Sequence, residues 1–367
     1  MFDDDNSAVW LGPGARWRDV YSVLEPYNLV VSGGRVADVG VGGYVLGGGF
    51  SWFANERGWT CDSVLAFETV VPTGEIITAS RNEHPDLFWA LKGSLGAFGV
   101  VTRIKVPTIE GTVVYAGGIS YSESSVPRLL GALKDLADQT EDDLNTQGYI
   151  SFGYLESYGT LGITAYLLNT RGDNSSATYR NFVDVPNRFV GLRRTTLRKS
   201  AEELDESSTL GLRRCKFALT TLCDVKTMLY VYDVVLQAIE DTEFESEAML
   251  GATFQPLTVP HLQAQDNIFN LSSHEGSLLL VSIEVWWTSP SRDEYYEERM
   301  KTIHAELAQE LDRRGTLHPF VYPNYAAKWQ DPFAMLSAGT KARMENVKHM
   351  YDPDNVWPRL VPGNWHL

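Results

Sequence analysis

The sequence predicts an α+β protein of two domains, and three observations carry that reading. A chain of 367 residues is too long for one ordinary core, at about 150 residues per domain. Residues 1–108 are rich in glycine and β-branched residues, with short strands parted by turn signals. From 109 to 320 the pattern changes to long strands alternating with long amphipathic helices, as in a sheet covered by helices on one face. A third segment, 321–367, holds one helix and an irregular proline-rich tail.

The elements follow in order. Trp17, Val20, Tyr21 and Leu24 share one side of a helix over Arg16–Leu24. Val64–Val71 has strand composition, Pro72-Thr73-Gly74 is a turn, and Glu75–Thr78 returns as the second arm of a hairpin. Pro85 suits the first position of a short helix to Leu91, stopped by Gly93, with His84 in a capping role. In the second domain Val126, Leu129, Leu130, Leu133 and Ala137 are spaced as a helix. Tyr149–Tyr154, Gly162–Leu168, Met249–Phe254 and Leu278–Trp287 have strand patterns. Ser291 with Glu294 predicts a capping box opening a helix that carries Tyr296, Met300, Ile303, Leu307 and Leu311. Lys341–Met350 is a last helix, ended by Asp352-Pro353.

Charge and cysteine usage exclude several function classes. Net charge is −16, from 47 acidic against 31 basic residues, which repels phosphate backbones and anionic lipid. Neither nucleic acid nor a membrane is therefore an expected partner, and no apolar run approaches the ~18 residues of a membrane span. Cys61, Cys215 and Cys223 form no disulfide framework and no metal-ligand spacing, so no metal is expected. One bridge or three buried free thiols both remain open. The opening Met1-Phe2-Asp3-Asp4-Asp5 is acidic where a signal peptide is basic, so the chain as it stands is expected in the cytoplasm.

Gly40–Gly49 (GVGGYVLGGG) is the densest chemical signal. Glycine at that density permits positive φ and close approach of backbone amides to an anionic ligand, or simply a tight loop on a sheet. It is neither a dinucleotide fingerprint, since Val45 stands at the third glycine position, nor a P-loop. On the strand ending at Trp287, Glu284 shares a face with Ser282 and Trp286. It is a candidate active-site carboxylate if that face turns inward, and a solvated side chain if it does not. The acidic runs 202–206 and 240–247 are expected to be solvated faces.

Gly33–Gly43 (GGRVADVGVGG), the Gly47–Gly49 triplet, Glu83–Leu91 (EHPDLFWAL) and Phe98–Thr102 (FGVVT) resemble one family. It is the berberine-bridge-enzyme-like FAD-linked oxidases, of the vanillyl-alcohol-oxidase or PCMH-type superfamily, and the similarity is closest to fungal members from secondary-metabolite pathways. Phe254-Gln255-Pro256 and the strand ending in Trp286 look like its substrate domain. Tyr322-Pro323-Asn324-Tyr325 and Tyr351–Trp357 look like its C-terminal segment. The resemblance implies a PCMH-type flavin domain over 1–108, a substrate domain over 109–320 and a C-terminal segment that returns to the flavin domain.

By the same resemblance, Val36, Ala37, Asp38, Val39, Gly40, Gly42, Gly43, Gly47 and Gly48 lie against the flavin ring and diphosphate. Gly99, Val100, Val101 and Asn324 complete the cofactor set. Tyr325, Tyr322, Gln255 and Glu284 are the catalytic candidates, with a tyrosine removing a proton as hydride leaves for the flavin. Two features depart from the family. Nothing before Val9 matches its Arg-Ser-Gly-Gly-His segment, and Val36 stands where doubly linked members carry a cysteine. A flavin domain truncated at its N-terminal side is therefore expected, with FAD held non-covalently or not at all. Its uncovered surface would favour self-association. The implied function is FAD-linked oxidation of a small organic substrate with oxygen as acceptor. A flavin-free cyclase, isomerase or dehydratase on the same pocket, and an inactive remnant, are the alternatives.

Overall fold

A computed structural model of the protein describes residues 2–3, 5–140, 142–206, 211–263, 266–271 and 276–361. The first unit contains β1 (Ala8–Leu11), α1 (Trp17–Leu24), α2 (Val41–Leu46), β2 (Ala66–Val70), β3 (Ile76–Ser80), α3 (Pro85–Ala90) and β4 (Val100–Pro107). Its four strands pair antiparallel in the order β1-β4-β2-β3, so the expected hairpin forms between β2 and β3. Trp17, Val20, Tyr21 and Leu24 of α1 are all buried, as their spacing requires. His84 does stand at the N-cap of α3, but its ring reaches the Tyr351 hydroxyl at 3.0 Å and caps no helix amide.

The second unit is one large antiparallel sheet. Its elements are β5 (Val113–Tyr121), α4 (Val126–Asp138), β6 (Thr146–Leu155), β7 (Thr160–Asn169), α5 (Leu197–Glu206), β8 (Arg213–Leu222), α6 (Val225–Glu240), β9 (Met249–Leu257), β10 (Leu278–Trp287) and α7 (Asp293–Arg313). The main strands run β5-β7-β6-β9-β10-β8. Strand alternation decides what each face does. Leu279, Val281, Ile283, Val285 and Trp287 of β10 join Phe217 and Leu219 of β8 in a core under α4, α6 and α7. On the opposite face Leu278 and Leu280 pack into the core of the first unit. Farther along that same face Ser282, Glu284 and Trp286 are polar or amphipathic and line a cavity. Burying each apolar side chain of these cores is worth about 1.5–3 kcal/mol.

The capping box expected at Ser291 does not form. α7 begins at Asp293, its N-cap Arg292 makes no side-chain cap, and Ser291 Oγ lies 2.8 Å from Ser289 Oγ. Pro290 explains the shift, because it starts a separate 3₁₀ turn over Pro290–Arg292 that takes up the serines. The helix α8 (Ala338–Tyr351) packs its buried Met344, Val347 and Tyr351 into the first unit's core, and a short helix, α9 (Trp357–Leu360), follows in the stretch expected to be an irregular tail, with Pro358 in its first turn. All three cysteines are buried and free, and among the described residues no acid, His or Cys cluster suits a metal. No helix among the described residues is long and apolar enough to cross a membrane.

Candidate active site

The glycine segment faces the large sheet across a cavity of about 1000 Å³. Arg35, Val36, Asp38, Val39 and Tyr44 form one wall, and Gln255, Ser282, Glu284 and Lys216 of the sheet form the other. Tyr322, Asn324 and Tyr325 close the gap between them. They sit on a 3₁₀ turn, Pro323–Tyr325, whose Pro323 sets the tight bend.

The two tyrosines differ in their surroundings. Tyr322 is fully buried, accepts a hydrogen bond from the Gly49 amide at 3.1 Å and another from Asn324 Nδ2 at 3.0 Å. Burial raises its phenol well above the ordinary tyrosine value. Asn324 Nδ2 also donates to the Tyr44 carbonyl at 3.0 Å. Tyr322 and Asn324 thus pin the C-terminal segment to α2, and a phenol so placed is a poor base.

Tyr325 is the opposite case. Burial alone would raise it, but the charges of Arg35 and Lys216, with hydrogen bonds from Gln255 and Arg35, outweigh burial and bring it below the ordinary value. Arg35 Nη2 lies 3.5 Å from the Tyr325 hydroxyl and also donates to Gln255 Oε1. Lys216 Nζ stands 4.2 Å from the centre of the Tyr325 ring and 3.4 Å from Glu284 Oε2. The Arg35 guanidinium rests over Phe50 at 4.6 Å and over Tyr149 at 5.3 Å.

The remaining candidates divide into those at the cavity and those elsewhere. Val36, Asp38 and Val39 line it, while Ala37 is buried and its amide donates to the Ala201 carbonyl at 3.2 Å. Gly42 is held under Pro13, and Gly47 is covered by Asn324, whose Oδ1 lies 2.0 Å from where a Cβ would stand. Gly48 packs against Phe269 with φ of +105°. Gly99, Val100 and Val101 stand on the four-stranded sheet or its approach and do not line the cavity. Gly99 presses on the Val70 carbonyl, and Val101 is buried.

Three features suit a flavin dinucleotide on the glycine wall. Gly40 and Gly43 are exposed, and a Cβ at either would meet nothing within 4 Å, so packing within the chain does not demand glycine there. The carbonyls of Gly33 and Gly34 accept from Tyr44 and Tyr21 at 3.2 and 2.8 Å. The amides of Gly33, Gly34, Arg35 and Val36 find no acceptor among the described residues, which leaves donors for a ligand.

Arg35, Lys216 and Arg214 were not among the expected site residues. Arg35 stands inside the glycine motif as its one cation. Lys216 and Arg214 lie on β8, whose Arg214-Cys215-Lys216-Phe217 alternation is a half-buried strand pattern. Asp205, at the end of an acidic run expected to be solvated, lines the cavity and pairs with Arg18 at 2.6 Å.

A glycine-rich wall set against a polar sheet face, with a buried phenol between them, is the setting of a flavoprotein oxidoreductase. Residues 1–80 match the FAD binding domain family. The chain is 42% identical to the FAD-dependent monooxygenase macF of Penicillium terrestre, over 97% of this chain and 68% of that protein. It is 31% identical to the FAD-dependent monooxygenase tpcD of Cochliobolus heterostrophus, over 96% of this chain and 71% of that protein. In fold it resembles 6-hydroxy-D-nicotine oxidase from Arthrobacter nicotinovorans, with a TM-score of 0.78 at 20% identity, covering 100% of this chain and 79% of that one. The chain belongs to the family of FAD-dependent oxidoreductases that these fungal monooxygenases represent.

Proposed function

We propose that the protein oxidises a small organic substrate in fungal secondary metabolism, with Tyr325 as the base that takes the substrate's hydroxyl proton. The observation that carries this reading is the place of Tyr325 at the junction of the two walls, its hydroxyl 3.5 Å from Arg35 Nη2 and its ring 4.2 Å from Lys216 Nζ, two cations that favour its anion against burial. FAD, when bound, supplies the acceptor for the hydride that leaves the substrate carbon, with oxygen receiving the electrons.

Every other role falls to the chain itself. The free amides of 33–36 and the bare backbone at Gly40 and Gly43 would hold the cofactor. Gln255 and Arg35 orient the Tyr325 hydroxyl and stabilise its anion. Tyr322 and Asn324 keep the turn that carries Tyr325 in register with α2. Glu284 is a partner of Lys216 and modulates its charge toward Tyr325.

The direct test is the absorption spectrum of the purified chain after incubation with excess FAD and desalting. Flavin absorption that survives desalting, and bleaches anaerobically with substrate in wild type but not in Tyr325→Phe, supports the reading. A folded, colourless chain would sink it and favour redox-free chemistry in the same cavity.

A further inference from the structure

We propose that Ser282 and Thr253 are specificity-determining residues of this site, and that they read a neutral six-membered ring with meta-placed hydroxyl or carbonyl oxygens. This rests on the oxidoreductase reading of the same cavity and names its substrate class.

Strand register builds a row of hydroxyls across the sheet wall of the cavity. Thr164 of β7 pairs with Ser151 of β6, Ser151 pairs with Thr253 of β9, and Thr253 pairs with Ser282 of β10. Residues directly opposite one another on neighbouring strands share a face, and all four line the cavity. Ser151 Oγ and Thr253 Oγ1 lie 2.9 Å apart, and one bond between two hydroxyls leaves a hydrogen and several lone pairs unused. The hydroxyls of Thr164 and Ser282 have no hydrogen-bond partner among the described residues.

Ser282 carries the argument furthest. It is 2% exposed, so its hydroxyl has left bulk water without gaining a partner in the chain, and a buried polar group in that state calls for one from outside. Its position ties it to the phenol. Ser282 precedes Glu284 by two residues on the same face, and Lys216, which pairs with Glu284 at 3.4 Å, lies 4.2 Å from the centre of the Tyr325 ring. Gln255 is as deeply buried on the same wall but already accepts from Arg35.

The charged side chains of the cavity are engaged within the chain, which points to a neutral ligand. Lys216 holds Glu284, Asp38 pairs with Arg16 and Arg18, Asp205 pairs with Arg18, and Arg35 donates to Gln255. The Arg214 guanidinium lies over the Trp286 ring at 4.6 Å. A charged ligand would have to disturb one of these arrangements, whereas a neutral oxygen needs only the hydroxyl row. Spacing narrows the class further. Hydroxyls on adjacent strands repeat at about 4.8 Å, and two meta-placed oxygens on a six-membered ring stand equally far apart. Ortho-placed oxygens are much closer together and reach one strand at a time. A hydroxyl both donates and accepts, so the row takes either an OH or a C=O.

The test uses the full chain and calorimetric titration with four probes of one ring size: naphthalene-1,3-diol, naphthalene-2,3-diol, 2-naphthol and 3-hydroxynaphthalene-1-carboxylate. The meta diol is expected to bind at least about tenfold more tightly than each of the others. Ser282→Ala should erase most of its advantage over 2-naphthol, and Thr253→Val should do the same, with the melting transition kept in both variants. Equal affinity for the four probes, tighter binding of the carboxylate, or an unchanged preference in Ser282→Ala overturns the proposal. The titrations are run with and without FAD, so a chain that holds no flavin would end the oxidoreductase reading while the probes still judge the hydroxyl row.

Discussion

The guanidinium of Arg35 lies 3.5 Å from the hydroxyl of Tyr325, a residue 290 positions away in the chain. This contact joins the glycine wall to the C-terminal turn and gives the cavity its one phenol below the ordinary range.

Activity should therefore rise with pH as the Tyr325 phenolate forms, and Arg35 should set where the rise falls. Losing the neighbouring cation disfavours the anion, so Arg35→Met moves the ascending limb of the kcat/KM profile to higher pH, by about one unit. Activity at pH 7 then drops by about tenfold. Tyr325→Phe should cost about 10²–10⁴ in kcat and flatten the limb. A limb left in place by Arg35→Met would refute the coupling.

Tyr322 should behave as a strut. Tyr322→Phe leaves the Gly49 amide and an Asn324 donor without their acceptor, at a cost of about 1–3 kcal/mol in urea unfolding. The pH profile of the folded fraction should keep its wild-type shape.

Two glycines, Gly43 in α2 and Gly47 at its C-cap, should separate stability from cofactor retention. Gly47→Ala drives a methyl into Asn324 and should destabilise by about 1–3 kcal/mol. Gly43→Ala meets open space within the helix and should leave stability equal or about 0.5–1 kcal/mol higher. If the open space at Gly43 is where the cofactor lies, the added methyl should nonetheless weaken FAD retention on desalting.

His261 should make the fold acid-sensitive. Its ring is fully buried between Phe50 and Trp59, and neither nitrogen has a partner among the described residues. Burial, with the Arg35 charge added, lowers it from 6.5 to about 3. The unfolded chain then binds a proton that the folded chain refuses, so this contribution is complete above pH 6.5 and is lost as pH falls toward 3. Comparing wild type with His261→Phe between pH 7 and pH 5 should show a shallower loss in the variant. The difference approaches about 1.4 kcal/mol per pH unit. Parallel curves would exclude the effect.

Much of this protein is determined by local pattern. The Leu278–Trp287 strand is legible end to end, because a run of Leu, Val, Ile and Trp buried on both faces has strand composition. α1 and α4 are legible for the same reason at helical period, and the glycine segment and C-terminal motif suffice to place the family. The start of α7 was not legible, since a competing turn at Pro290 took up the serines of the expected cap. Four glycines of one ten-residue segment show why the site itself needed tertiary structure. Gly40 and Gly43 are exposed with open space beside them, Gly42 is held under Pro13, and Gly47 is covered by Asn324. Two tyrosines three residues apart diverge in the same way. Tyr322 is committed to the Gly49 amide, while Tyr325 is lowered by cations from the glycine wall and from β8. Sequence alone determined which residues form elements and which family they belong to, because periodicity and motif are properties of neighbours along the chain. Only the tertiary structure decided which phenol lies beside Arg35 and Lys216 and which face of the sheet lines the cavity. Acidity and access depend on charges and burial supplied by residues hundreds of positions apart.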